Sequence, residues 1–339
     1  MSTTVPAAPA LRTSRDPYLD ALRGGSLLVV VLWHLFGTRL HWSADGPHAT
    51  SPLASVPGLW LGTWVLQVMP VFFYVGGYLH PRSWRPGFIR YRLVGLLGMA
   101  TPLLFAWVVV GGILAAAGGT AWADGTVLFA LSPLWFLAVY VVLVALLPLW
   151  LYLHRRLGAA ALPLLAGLAV VVDIVRLGAG IGWFGWLNLV FVWGLAHQAG
   201  FHHDALLRAP RRLGYALVAG GLAVLCGLLA LGYPGSMVGV PGAKWSNMSP
   251  PTIAIVALTA LQVGLIRLGH PKLPALLSRP VARRILALAN RYGMPVFLLH
   301  MSAFLLFAAV GWPGAVVLAA GAVGALMYRR VPGGHYRPQ

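Results

Sequence analysis

The sequence predicts an all-α polytopic membrane protein with about ten transmembrane helices and both termini cytoplasmic. Three observations predict it. The 339 residues are 59% hydrophobic and only 9% charged, with a mean hydropathy of +0.82, outside the range of a soluble globular domain. The apolar residues gather in runs long enough to cross a hydrocarbon core of about 30 Å, which takes roughly 20 residues each. Basic residues fall in every second connection between the runs, and basic connections stay in the cytoplasm.

In chain order, residues 1–14 are small, polar and proline-containing, with no cleavable apolar core behind them, and read as a disordered cytosolic lead. The first run, 18–37, is entered past Arg12, Arg15 and Arg23 and left on the outer side at Arg39. Run 58–79 returns to a connection holding Arg82, Arg85, Arg90 and Arg92, and 93–117 crosses outward again. Run 127–153 comes back to Arg155 and Arg156, and 159–177 leads out past Arg176. Run 181–199 descends to Arg208, Arg211 and Arg212, and 213–233 climbs to a turn-rich outer connection, 234–251, whose basic residue is Lys244. Run 252–269 ends near Arg267, Lys272, Arg279, Arg283, Arg284 and Arg291. Runs 290–309 and 311–328 are separated only by the tight turn GWPG, and Arg329, Arg330 and Arg337 follow. Residues 15–330 therefore form one transmembrane domain, with 331–339 a cytosolic tail. The multi-pass layout with N and C termini inside suits a plasma (inner) membrane.

The formal net charge of +18 would suit nucleic acid only as a basic face on a folded module. Here it punctuates apolar runs, so nucleic acid is excluded as a partner and membrane lipids, with anionic headgroups among them, are included. The single cysteine, Cys226, rules out an internal disulfide and a multi-cysteine metal site. No metal site is expected. His41 and His48 lack metal-ligand spacing, as do His202 and His203. No phosphate-binding glycine loop or dinucleotide fingerprint occurs, and glutamate is absent altogether.

The most informative residues are Arg23 and His34, at the mouth of and inside the first run. Eleven steps of about 100° return to nearly the same helix face, about 16 Å further along the axis. An ionisable group inside a spanning segment costs at least ~2.5 kcal/mol when unpaired, so it faces a bundle interior or a wet cavity. Arg23 alone also suits snorkelling at a cytosolic boundary. Asp20, three residues before it, pairs with it on one face. Deep in the ninth run, His300 pairs with His34, orients an acceptor, or packs hydrogen-bonded against a neighbouring helix. Asp173 and Arg176 read first as a self-contained ion pair and second as an outer-side acceptor site. Asn188, His197 and Gln198 suit interhelical hydrogen bonding. Trp135 and Phe136 either line a channel or anchor a helix end.

These residues resemble a known family. LDALRG leading into a helix with Arg23 and His34 resembles the opening of the acyltransferase-3 family of membrane O-acyltransferases. FFYVGGYL at 72–79 is similar to that family's FFxxSG element, with Gly76 where serine is usual. RYRLVGLLGMATP, SPLWFLAVYVVLVALLPL and MPVFLLH resemble further elements in the family's order. The resemblance implies transfer of an acyl group from cytosolic acyl-CoA to a hydroxyl of a sugar, glycan, lipid or secondary metabolite. His34 would then be the general base, with His300 beside it. Arg23, held by Asp20, and then Arg90 and Arg92 would bind the coenzyme phosphates. Asp173, Asn188 and Trp135 would contact the small-molecule, glycan or lipid acceptor. The alternatives are a small-molecule or lipid transporter using the same arginine and histidine, or the family scaffold turned to another reaction.

Overall fold

The structure is a computed structural model and describes residues 16–43, 46–270, 277 and 279–310. The expected lead, the tenth run and the tail lie outside the described residues.

Helix α1 (Pro17–Gly37) starts where the Asp16 carboxylate accepts the Tyr18 amide at 2.8 Å, with proline in the first turn. It stops as the chain turns extended at Thr38. A small antiparallel hairpin follows, strand β1 (Arg39–Ser43) on β2 (Gly46–Thr50), in a register that sets His41 opposite His48. The hydropathy pattern did not announce these strands. Trp42 stacks on Trp122 with ring centroids 6.2 Å apart, which ties the hairpin to one end of the helices that follow.

A short α2 (Thr63–Leu66) leads into α3 (Met69–Arg82), and α4 (Phe88–Gly118) runs 31 residues, roughly 46 Å at 1.5 Å per residue. Phe105, Val108 and Ile113 on α4 are exposed, as a lipid-facing helix requires. Helices α5 (Thr120–Leu131) and α6 (Leu134–Ala145) meet at a bend of 51°. Pro133 supplies no amide for the ladder there, so the helix breaks.

The expected single span at 127–153 is thus a bent one, continued by α7 (Leu147–Leu157). The chain then reverses at Gly158, whose φ of +54° favours glycine. Contacts fix the reversal. His154 on α7 lies against Phe201 and His202, whereas Asp173, at the far end of α8 (Ala161–Asp173), meets Asn188 at the opposite end of α9 (Asn188–Phe201). The short α10 (His203–Arg208) precedes α11 (Arg211–Ala230), α12 (Ile253–Gly269) and α13 (Pro280–Val310).

Among the described residues six helical stretches are long and apolar enough to cross a membrane, or seven if the bent α5–α6 pair is one span. The chain is therefore an all-α multi-pass membrane protein. The shorter α9 and α12, with 14 and 17 residues, fall below that length although both sit in the core. That core joins α3, α6, α9 and α12 through Phe73, Leu143, Trp193 and Leu258, each fully buried. Gly77 and Gly200 let α3 and α9 cross at backbone contact, so the polar residues between these helices are sealed from lipid.

Candidate active site

Helices α1 and α13 lie side by side, matched at two levels. Gly24 faces Ala289 and Asn290, and Gly293 faces Leu27, with room for little more than hydrogen. At the first level the Arg23 guanidinium donates through Nε and Nη2 to Asn290 Oδ1, at 3.1 and 2.8 Å. Asn290 Nδ2 in turn donates to the carbonyls of Asp20 and Leu286, both at 3.0 Å. Asp20 Oδ1 lies 3.6 Å from Arg23 Nη2. One edge of Arg23 is thus used to join the two helices, while its side chain stays 36% exposed.

At the second level His34 and His300 face each other with ring centroids 5.0 Å apart. His34 Nδ1 donates to the Val30 carbonyl at 2.8 Å, and His300 Nδ1 donates to that of Phe297. Each ring spends its Nδ1 proton on its own helix, so in the neutral form Nε2 carries the lone pair. His300 Nε2 has no partner among the described residues. Two imidazoles with acceptor nitrogens are therefore held face to face across the α1–α13 seam.

Both imidazoles line a cavity of about 680 Å³. Its wall is mostly aromatic and aliphatic, including Trp33, Phe129, Trp135, Phe136 and Phe297, and among the described residues no arginine, lysine or aspartate lines it. Trp135 thus stands where a channel-lining residue was expected. The roof is the connection 231–252, held down by buried polar side chains. Gln67 Nε2 donates to the Met237 carbonyl at 2.9 Å, the Thr63 hydroxyl accepts the Met237 amide at 2.8 Å, and the Asn247 amide donates to the Ser236 carbonyl at 3.1 Å.

Asp173 and Asn188 stand elsewhere. Asn188 Nδ2 donates to Asp173 Oδ1 at 3.0 Å, while Oδ2 accepts the Tyr233 hydroxyl at 3.2 Å and the Ile253 amide at 2.9 Å. A carboxylate at the start of α12 is favoured by the helix dipole, and with three donors it fastens the roof. Neither residue is among those lining the cavity. Arg176 does not close on Asp173 as the expected self-contained pair; its Nη1 donates to the Pro250 carbonyl at 3.2 Å. Its geometry serves the same loop.

A second buried cluster was not anticipated. The Tyr140 hydroxyl lies 2.9 Å from His80 Nε2, and His80 Nδ1 lies 3.0 Å from His197 Nε2. Arg92 is half-buried with its guanidinium over the Phe88 ring, and Arg90 is exposed. Gly76 borders the cluster: a Cβ there would meet His80 Cε1 and Tyr140 Cε2 at 3.5 Å, ordinary contact. His80 was visible in the sequence as a histidine closing the FFYVGGYL run, and Asn290 as a polar residue opposite Arg23's level of the membrane. Only the packing of α13 on α1 gives the latter its meaning. Among the described residues no three His, Cys or Asp side chains gather into a metal-holding group.

No curated protein and no solved structure is significantly similar to the chain. A family model described as an acyltransferase domain matches residues 16–328, nearly the whole of it and every residue of the two levels described above. The chain belongs to the acyltransferase-3 family.

Proposed function

We propose that the protein is a plasma-membrane O-acyltransferase, both termini cytoplasmic, that moves an acyl group from cytosolic acyl-CoA to a hydroxyl of a sugar, glycan, lipid or secondary metabolite. The observation that carries the reading is the His34–His300 pair, both Nδ1 protons spent on backbone, facing an uncharged cavity. His34 Nε2 takes the acceptor proton as the hydroxyl oxygen attacks the thioester carbonyl. The new C–O bond forms, the C–S bond breaks, and the proton passes from the imidazolium to the departing thiolate. Ester and free coenzyme leave with no net proton change. His300 shares the proton, and Trp135 bounds the acceptor.

The donor's phosphates carry several charges that the cavity has nothing to pair with, so they stay at Arg23, positioned by Asp20 and Asn290, and at Arg90 and Arg92. The adenine end remains cytosolic while the pantetheine arm carries the thioester inward. Asp173 and Asn188 contribute by holding the outer loop over the acceptor. The test is acyl transfer by purified protein in detergent micelles, followed as release of free thiol. Turnover there needs no gradient, whereas a transporter needs two compartments. Release should fall at least about 100-fold in His34→Ala with thermal stability retained. Wild-type release in that variant would remove the catalytic role.

A further inference from the structure

We propose that the cavity above His34 and His300 is a binding site for an uncharged alcohol with an apolar body, reached sideways from the bilayer between α6 and the segment preceding α9. The acceptor role of that alcohol rests on the acyl-transfer reading; its binding does not.

Three observations carry it. First, the cavity's volume of about 680 Å³ falls in the range of sites for small organic ligands, about 300–1,000 Å³. Second, its polar endowment is small. The two histidines share the lining with the hydroxyls of Thr38, Ser51, Ser132 and Ser249 and with Gln67, whose amide is already bonded to the Met237 carbonyl and the Met69 amide, and among the described residues no charged side chain accompanies them. A phosphorylated acceptor would bring unpaired charge, and a free sugar would bring hydroxyls in excess of partners, each of which loses affinity when buried without one. An alcohol with one hydroxyl at His34 Nε2 and an apolar remainder matches every wall.

Third, the cavity is open along a helix that lies in the membrane. Ser132, Trp135, Ala138 and Val142 form one stripe down α6 and its bend, and all four both line the cavity and are exposed. Across the gap, Trp186 also lines the cavity and is 54% exposed. Between and below them, Phe136 and Val139 on the adjoining face of α6 are buried. The α5–α6 pair is apolar enough to be a spanning segment, so the exposed half of the stripe meets lipid. The break at Pro133 tilts α6 away from α5 and leaves this side unsealed.

The test is photolabelling of the full-length protein in lipid nanodiscs with a diazirine-bearing dodecanol, read by peptide mass spectrometry. Label is expected on Trp135, Met248 and Met301, suppressed at least tenfold by excess dodecanol but not by dodecyl phosphate or methyl glucoside. Ala138→Trp, which fills the opening from an exposed position, should reduce that label at least tenfold; Val142→Phe is the second variant if the first does not fold. Val108→Trp, on the lipid face of α4, should leave it unchanged. Label confined to lipid-facing residues such as Phe105, uncompeted and equal in all variants, would overturn the proposal. Preferential competition by the glucoside or the phosphate would overturn it too. Cavity labelling without thiol release from acyl-CoA would sink the acyltransferase reading and leave this one standing. Release dependent on a free sugar, without cavity labelling, would do the reverse.

Discussion

Adjacent glycines in α3 should respond to substitution in opposite ways. At Gly77 a Cβ would lie 1.7 Å from the His197 carbonyl oxygen, where real Cβ atoms keep at least 3.0 Å. The neighbour is backbone, so α3 and α9 would have to part by about 1.3 Å, the difference of those two distances. A gap of 0.5–1 Å already forfeits a quarter to a half of each dispersion contact along the seam, which puts Gly77→Ala at the upper end of the overpacking range, about 3 kcal/mol or more. At Gly76 the added atom meets only ring carbons at 3.5 Å or beyond. Gly76→Ser removes the roughly 0.5–1 kcal/mol cost of a helical glycine, and its hydroxyl finds a partner in the preceding turn or in the Tyr140–His80 cluster, about 1 kcal/mol. The measurement is thermal unfolding of detergent-solubilised protein. Gly77→Ala should lower the midpoint by about 5 °C or abolish folding, while Gly76→Ser leaves it unchanged or slightly higher. Equal loss in the two variants would refute the packing of α3 on α9 described above, and with it the view that this chain has space for the serine its family usually carries.

Other expectations are briefer. Asn290→Ala frees the Arg23 guanidinium from its only side-chain acceptor among the described residues apart from Asp20; destabilisation of about 1–3 kcal/mol should follow, read by unfolding, and on the proposed acyl transfer a raised KM for acyl-CoA, read by steady-state kinetics. Asp173→Ala leaves three donors without their acceptor and should loosen the roof of the cavity, lowering the midpoint and increasing deuterium uptake across 231–252. His203, at the start of the short α10 outside the spanning helices, accepts from or donates to the Tyr74 hydroxyl at 2.7 Å, and burial holds its imidazole down at about 4. The unfolded chain takes that proton near 6.5 and the folded one only near 4, so the stabilisation is fully present above pH 6.5 and drains away as pH falls towards 4. In His203→Gln the unfolding midpoint should lose part of this acid dependence; Asp16, Asp204, His270 and Arg82 are the charged or titratable neighbours that shape what remains.

What the sequence disclosed follows the range of the forces involved. Hydropathy is summed over whole segments, so α1 and α11 were legible within a few residues, whereas α4 and α13 begin at Phe88 and Pro280, before the apolar runs expected from 93 and 290; His34 was legible as an ionisable residue inside an apolar run. The bend at Ser132–Pro133 was not, because a proline in an apolar run is equally compatible with a tolerated kink and with a broken helix; neighbours decide. The hairpin was missed because five-residue strands carrying Arg39, His41 and His48 have no alternating pattern to recognise. Asp173 and Arg176 illustrate the same limit at a single pair. Spacing of three on a helix favours their meeting, yet the start of α12 and the hydroxyl of Tyr233 offer the carboxylate donors that sequence distance hides. His300 was legible as a polar residue deep in its run, but its position against His34 depends on α13 packing along α1, which no local pattern encodes.

That packing also bears on how one catalyst serves reactants of unlike solubility. The two levels of the α1–α13 seam are chemically opposite: guanidinium, amide and carboxylate at one, paired neutral imidazoles at the other. On the proposed reaction, an acyl-CoA that reached the second level whole would have to carry its phosphates into a cavity with no cation among the described residues to receive them, at a desolvation cost far larger than any contact there returns. An acceptor that reached the first level would leave the histidines behind. Each proposed reactant would thus be stopped at the level its own charge permits, and only the uncharged thioester and hydroxyl would meet. On this reasoning Asn290 matters beyond stability. By fixing Arg23 on α13, it fixes the donor's headgroup relative to His300 as well as His34, so a change that slides α13 along α1 should uncouple thiol release from ester formation before it abolishes either.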